Sequence, residues 1–213
     1  MTNKIKLVFN ELSEHLPYTI FTVALGMVLL GAFTFISQVS SSGDISLPSR
    51  SLFHIFHPIH LLFSATATTA MFLRYEKGPA KAILVGVIGS LSICGLSDIF
   101  IPFLAGILLN VKMTLHICIV ENPTLIVPFV AVGIFAGFAV PDKTQKGTIF
   151  SHTLHVFVSS MASMLYLIAF GLTGWIRVAG MVFIYMVLAV IIPCCMSDII
   201  FPLLLAKQKN KEE

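Results

Sequence analysis

The chain has 213 residues, of which 57% are hydrophobic and 11% charged, with a formal net charge of +3. A soluble domain carries about 25% charged residues, so a mean hydropathy of +0.96 excludes an ordinary water-soluble domain and indicates a membrane protein. The basic residues are scattered over loops rather than gathered on one face, which excludes a nucleic-acid-binding surface.

Residues 1–17 are polar, with none of the short apolar core and small-residue exit of a cleavable signal, so the first apolar segment is expected to remain as a helix from Tyr18. Six apolar segments follow in order, at 18–39, 52–75, 80–108, 124–140, 148–170 and 176–205. A helix needs about 20 apolar residues to cross the hydrocarbon, and helix is the form that satisfies backbone groups where no water is present. The third and sixth exceed a straight crossing and are expected to tilt, break or run past the bilayer. Short connections carry turn residues, Ser-Ser-Gly-Asp at 41–44, Lys-Gly-Pro at 77–79, Pro-Asp-Lys at 141–143 and Gly-Leu-Thr-Gly at 171–174. None is long enough to separate two folding units, so 1–213 reads as a single membrane domain.

Orientation follows from Lys and Arg. With the N-terminus in the cytoplasm, the inside segments hold Lys4, Lys6, Arg74, Lys77, Lys81, Lys143, Lys146, Lys207, Lys209 and Lys211, and the outside loops hold Arg50, Lys112 and Arg177. Ten against three places both termini inside, in an inner (cytoplasmic) membrane. The cysteines, Cys94, Cys118, Cys194 and Cys195, lie in or beside apolar stretches, unlike a secreted disulfide framework, and Cys118 and Cys195 read as buried small hydrophobes.

The two halves of the chain echo each other. Ser97-Asp98-Ile-Phe-Ile-Pro102 returns as Ser197-Asp198-Ile-Ile-Phe-Pro202, each aspartate four residues after a cysteine, Cys94 or Cys194. His57 and His60 fall on His152 and His155, Ser64 on Ser159 and Ala67 on Ala162; more weakly, Glu14 falls on Glu121, Ala24 on Ala131 and Gly26 on Gly133. Repeat 1 covers about 14–109 and repeat 2 about 121–206. Each holds three spans, and an odd number makes the second half enter from the opposite side. The expected fold class is therefore an all-α integral membrane protein, six transmembrane helices in two inverted-topology three-helix repeats. That plan resembles, in architecture alone, that of small six-span cation transporters.

An aspartate inside a transmembrane helix costs roughly 2.5–3.5 kcal/mol on insertion scales and marks a site. Residues three, four and seven apart share a helix face, so His57, His60 and Ser64 form one polar stripe and His152, His155 and Ser159 another, while Cys94 stacks with Asp98 and Cys194 with Asp198. His54 extends the first stripe by a turn. Pro102 and Pro202 each remove the bond to an aspartate carbonyl, so a helix break is expected at Asp98 and Asp198. Imidazole, carboxylate and thiolate together suit a divalent transition metal, Zn²⁺ first, with Mn²⁺, Fe²⁺, Co²⁺ and Ni²⁺ as alternatives. The expected ligands are His57, His60 and Asp98 toward the outer face and His152, His155 and Asp198 toward the inner. Cys94, Cys194, His54, Ser64, Ser159 and Glu121 are further candidates, Glu121 chiefly as a cap beside Asn122-Pro123. Gly26, Gly31, Gly133 and Gly137 are expected to admit close helix contact.

Together these residues suggest a proton-coupled secondary transporter of a divalent transition metal in the lipid bilayer, with a homodimer compatible with so small a bundle. An intramembrane metal hydrolase and a proton-coupled carrier of a small organic solute are the rival readings. His-Glu-x-x-His is absent, and histidines three apart cannot ligate opposite sides of one haem.

Overall fold

The computed structural model describes residues 2–39, 44–140 and 148–195, with side chains over 12–39, 44–140 and 153–193. The described residues are helical, with no strand among them. The helices are α1 (Thr2–Val39), α2 (Ser46–Tyr75), α3 (Pro79–Ile88), α4 (Ile101–Leu108), the single turn α5 (Cys118–Glu121), α6 (Pro123–Ala139), α7 (Thr148–Ala169) and α8 (Ala179–Cys195). Two π-helical stretches, Gly89–Cys94 and Leu96–Phe100, join α3 to α4 without a break. A 3₁₀ turn, Trp175–Val178, leads into α8.

Among the described residues, three helical rods are long and apolar enough to cross a membrane: Leu12–Val39, Pro79–Leu108 and Trp175–Pro193. Pro123–Ala139 and Thr153–Ala169 are apolar but shorter. This fits a membrane-embedded protein. So does the distribution of side chains, because apolar groups such as Phe35 (68% exposed) and Phe135 (74%) face outward. α2 places its polar groups inward: His57, His60, Ser64, Thr68 and Thr69 are all buried. Its low hydropathy thus comes from a lining and not from a water-facing surface.

α1 begins at Thr2, well ahead of the expected residue 18. Pro17 does not stop it. A proline costs the bond to the carbonyl four residues earlier, here that of Ser13, an exposed residue within reach of water. α2 starts where Asp44 accepts the Ser46 N–H and the Ser46 hydroxyl, each at 2.9 Å. The backbone N–H first, then the hydroxyl, holds the Asp44 carboxyl below its ordinary value, and the charge sits at the positive end of the helix.

α2 and α7 pack against each other at the centre. α2 also packs on α6 and α3, and α7 on α1 and α8. Small residues set the close approaches. A Cβ on Gly133 would lie 2.5 Å from the Leu62 carbonyl oxygen and 2.9 Å from the Ala65 Cβ; one on Gly137 would lie 2.7 Å from the Thr69 Cβ and 2.9 Å from the Thr66 carbonyl oxygen. Gly133 and Gly137 are the G-x-x-x-G spacing that lets helix backbones meet in lipid, and Thr66 Oγ1 donates across the contact to the Gly133 carbonyl at 3.0 Å. Gly26 abuts Met161 and Met164 of α7. Gly31 departs from expectation: among the described residues no group lies within 4 Å of a Cβ there.

Replacing Gly133 by leucine is expected to push α6 off α2 and lower stability by at least about 1–3 kcal/mol, the usual cost of overpacking. Gly31→Ala should leave stability unchanged or raise it by up to about 1 kcal/mol through helix propensity. Thermal unfolding of both variants in detergent, beside the parent, measures the contrast.

Candidate functional site

α2 and the π-helical stretch before α4 meet at Asp98. Its carboxylate is fully buried. Oδ2 accepts Nδ1–H from His57 at 2.8 Å and from His60 at 2.7 Å. Oδ1 lies 2.7 Å from Ser97 Oγ and 3.4 Å from Ser159 Oγ of α7. The i, i+3 spacing of the histidines puts both on the face of α2 that meets Asp98.

At Asp98, where a break was expected, the helix instead widens into the π-helical stretch Leu96–Phe100. The Ile101 N–H reaches back five residues to the Leu96 carbonyl. In that register the partner of residue 102 would be Ser97, and proline has no N–H to offer. Ser163 Oγ of α7 reaches the Ser97 carbonyl at 3.1 Å, its one hydroxyl proton shared with the Ser159 carbonyl of its own helix at 2.9 Å. A π-helical turn bulges the backbone and is frequent at functional sites; here it carries the aspartate toward α2 and ties its neighbour to α7.

His155 of α7 is buried, and its ring centroid lies 4.8 Å from that of His60. A histidine of the second half thus packs against the cluster of the first. Ser64 is buried on the same helix as His57 and His60, and Cys94 is buried one turn before Asp98. Asp198 and the side chains of His152 and Cys194 lie outside the described residues. Ser163 passed unnoticed in the sequence: a serine in an apolar helix carries no signal until its neighbour is known.

His54 and Glu121 are placed elsewhere. His54 lies one turn of α2 toward its N-terminus, with Nε2 3.0 Å from His116 Nε2, and Glu121 Oε2 is 2.8 Å from His116 Nδ1. The wall between this group and Asp98 is Phe53, fully buried, its ring stacked on His57 at 5.2 Å and edge-on to His116 at 6.4 Å.

The Asp98 arrangement has a clear chemical capacity. When an ionised carboxylate accepts Nδ1–H from two imidazoles it fixes both tautomers and turns each Nε2 away from itself. Carboxylates orient metal-binding histidines in this way, and the same geometry stabilises an imidazolium if either ring takes a proton. With two imidazole N–H groups and two serine hydroxyls around it, Asp98 is better placed to orient ligands than to ligate. The donor set fits a transition metal held on imidazole nitrogen.

Fold and site together define an all-helical, membrane-fitting protein with a buried carboxylate–imidazole cluster at the contact of α2 and α7. No protein-family model, curated protein or solved structure matches the chain.

Proposed function

We propose that the chain is a six-span secondary transporter of a divalent transition metal, Zn²⁺ first among Mn²⁺, Fe²⁺, Co²⁺ and Ni²⁺, built as two inverted three-helix repeats in an inner membrane with both termini cytoplasmic. The observation that carries this reading is the buried Asp98 carboxylate bridging His57 and His60, with His155 from the other half against His60. A charged group so deep in an apolar bundle marks a pathway or relay, and imidazoles held by a carboxylate exchange a proton for a metal ion near neutral pH. In this proposal the same role extends to His152 and Asp198, which lie outside the residues whose side chains are described.

The helix contacts support the repeat. Exchanging α1 with α6 and α2 with α7 turns the α2–α6 contact into the α7–α1 contact. Glycines enter both: Gly133, the counterpart of Gly26, meets Leu62 and Ala65 and accepts from Thr66, and Gly26 meets Met161 and Met164, of which Met161 falls on Thr66 when His57 is set on His152. Pseudo-symmetry of this kind places the substrate near the midplane, between the repeats.

Flux of Zn²⁺, Mn²⁺, Fe²⁺, Co²⁺ and Ni²⁺ into proteoliposomes, with an imposed pH gradient, tests the proposal. Saturable transport of at least one ion, driven by the gradient, is expected. A protein that moves none of them while an organic solute is taken up would replace this reading with that of a proton-coupled solute carrier.

A further inference from the structure

We infer that His54, His116 and Cys118 form a second transition-metal site, separate from the Asp98 cluster, with Glu121 positioning His116. The inference does not require the transport reading.

The site is assembled by the segment between α4 and α6. Asn110 takes a left-handed conformation (φ 57°) that turns the chain back after α4, which asparagine tolerates better than most residues. The extended stretch that follows is pinned to α7: the Thr114 N–H donates to the Phe170 carbonyl at 2.9 Å, and the His116 N–H to Tyr166 Oη at 3.0 Å. His116 and Cys118 are thereby buried against α2, where His54 faces them. His54 Nε2, His116 Nε2 and Cys118 Sγ lie within 4.8 Å of one another. The individual separations are 3.0 Å for His54–His116 and 3.4 Å for Cys118–His116. Metal–nitrogen and metal–sulfur bonds of about 2.0–2.3 Å in a tetrahedron separate donors by about 3.3–3.6 Å, so both pairs with His116 are near that spacing, and His54 and Cys118, within 4.8 Å of each other, draw together to close on one ion.

Hydrogen bonding alone accounts poorly for the group. Glu121 takes the Nδ1–H of His116, so a neutral His116 offers a single lone pair at Nε2. Both His54 Nε2 and Cys118 Sγ address it. A metal ion resolves the conflict, since all three donors then present lone pairs to one centre. The carboxylate–histidine pair is the usual outer support of such a ligand. Binding of an ion displaces the Cys118 thiol proton, because the thiolate is the ligand form. The thiolate and Glu121 then carry two negative charges against a dication, with Arg50, which lines the adjoining cleft, opposing. That cleft, of about 360 Å³, is also lined by His116, Glu121, Lys112 and Thr114. It gives an ion and a fourth, solvent-derived ligand a route to the site. Three protein ligands of this kind suit Zn²⁺ or Co²⁺.

Co²⁺ titration of the purified full chain in detergent tests the assignment through thiolate-to-cobalt charge transfer in the near ultraviolet. A chain with Cys94, Cys194 and Cys195 all replaced by serine is expected to keep the band. Cys118→Ser should lose it, Glu121→Gln should weaken Co²⁺ binding by on the order of 10–100-fold, and Asp98→Asn should leave it intact. Absence of the band from the chain whose sole cysteine is Cys118 overturns the site, whether or not the parent shows one. Loss of the band in Asp98→Asn would equally overturn it, by showing the ion to be held at the other cluster.

Discussion

Asp98→Asn is expected to abolish most metal flux while leaving the fold intact. The carboxamide oxygen still accepts Nδ1–H from His57 and His60, which reach Asp98 Oδ2 at 2.8 and 2.7 Å. The new NH₂ group faces Ser97 Oγ and Ser159 Oγ, and hydroxyls accept as readily as they donate. What disappears is the charge. Without it the imidazoles are less basic and no imidazolium is stabilised between them, so both metal affinity and proton exchange fall. Outer supports of this kind are worth on the order of 10–100-fold in affinity or activity. Asp98→Ala differs, because it strands two buried N–H donors at about 1–3 kcal/mol each. Flux, thermal unfolding and the pH dependence of transport should be measured on both variants. Asp98→Asn should show parent-like unfolding with a flattened pH profile, and Asp98→Ala should lose stability as well. Parent-level flux in Asp98→Asn would remove Asp98 from the transport mechanism.

That contrast is possible because the Asp98 cluster was largely legible in the sequence. An aspartate in an apolar stretch stands out by its insertion cost, and His57 and His60, three residues apart, must share a helix face. Proximity of α2 to the end of the third rod followed from the tight turn at Lys77-Gly-Pro79. The form of the backbone at Asp98 was not legible. Pro102 announced a lost hydrogen bond, which a sequence reading assigns to the α-helical partner, Asp98. The chain instead widens into a π register that moves the vacancy to Ser97, whose carbonyl the Ser163 hydroxyl reaches while also bonding Ser159. Only the position of α7 decides between these outcomes. Glycine roles divided in the same way: Gly133 and Gly137 face a backbone and, among the described residues, Gly31 faces none, although all lie in equally apolar sequence.

The His54–His116–Cys118 group shows the limit more sharply. Cys118 read as a small hydrophobe and Glu121 as a cap, each a sound reading of one residue alone. His116, Cys118 and Glu121 lie on one short segment, and His54 extends the first histidine stripe by a turn. Joining them requires the reversal at Asn110 and the pinning of the segment onto α7 by Thr114 and His116. Contacts across 62 residues that depend on the course of an irregular segment leave no periodic trace in the sequence.

Phe53 separates the two clusters, and its truncation is expected to be among the most destabilising single changes in the bundle. Its ring stacks on His57, 14° from parallel, and meets Tyr166 and Phe170 edge-on at 5.3 and 5.8 Å. It is fully buried. Phe53→Ala therefore opens a cavity bounded by α2 and α7 and removes aromatic pairs, a loss of about 3–5 kcal/mol for a core phenylalanine. Between helices in lipid, close packing supplies much of the association energy, so the neighbours have strong reason to stay in place and little freedom to collapse. Phe135 is the matched control, since it is 74% exposed and trades one apolar surround for another, whether lipid or detergent. Phe135→Ala should change stability by no more than about 0.5 kcal/mol. Unfolding in detergent, followed by heat or by denaturant, compares the pair directly. Equal losses in the two variants would mean that Phe53 is not the packed wall described, and that the histidines on either side of it belong to one continuous cavity.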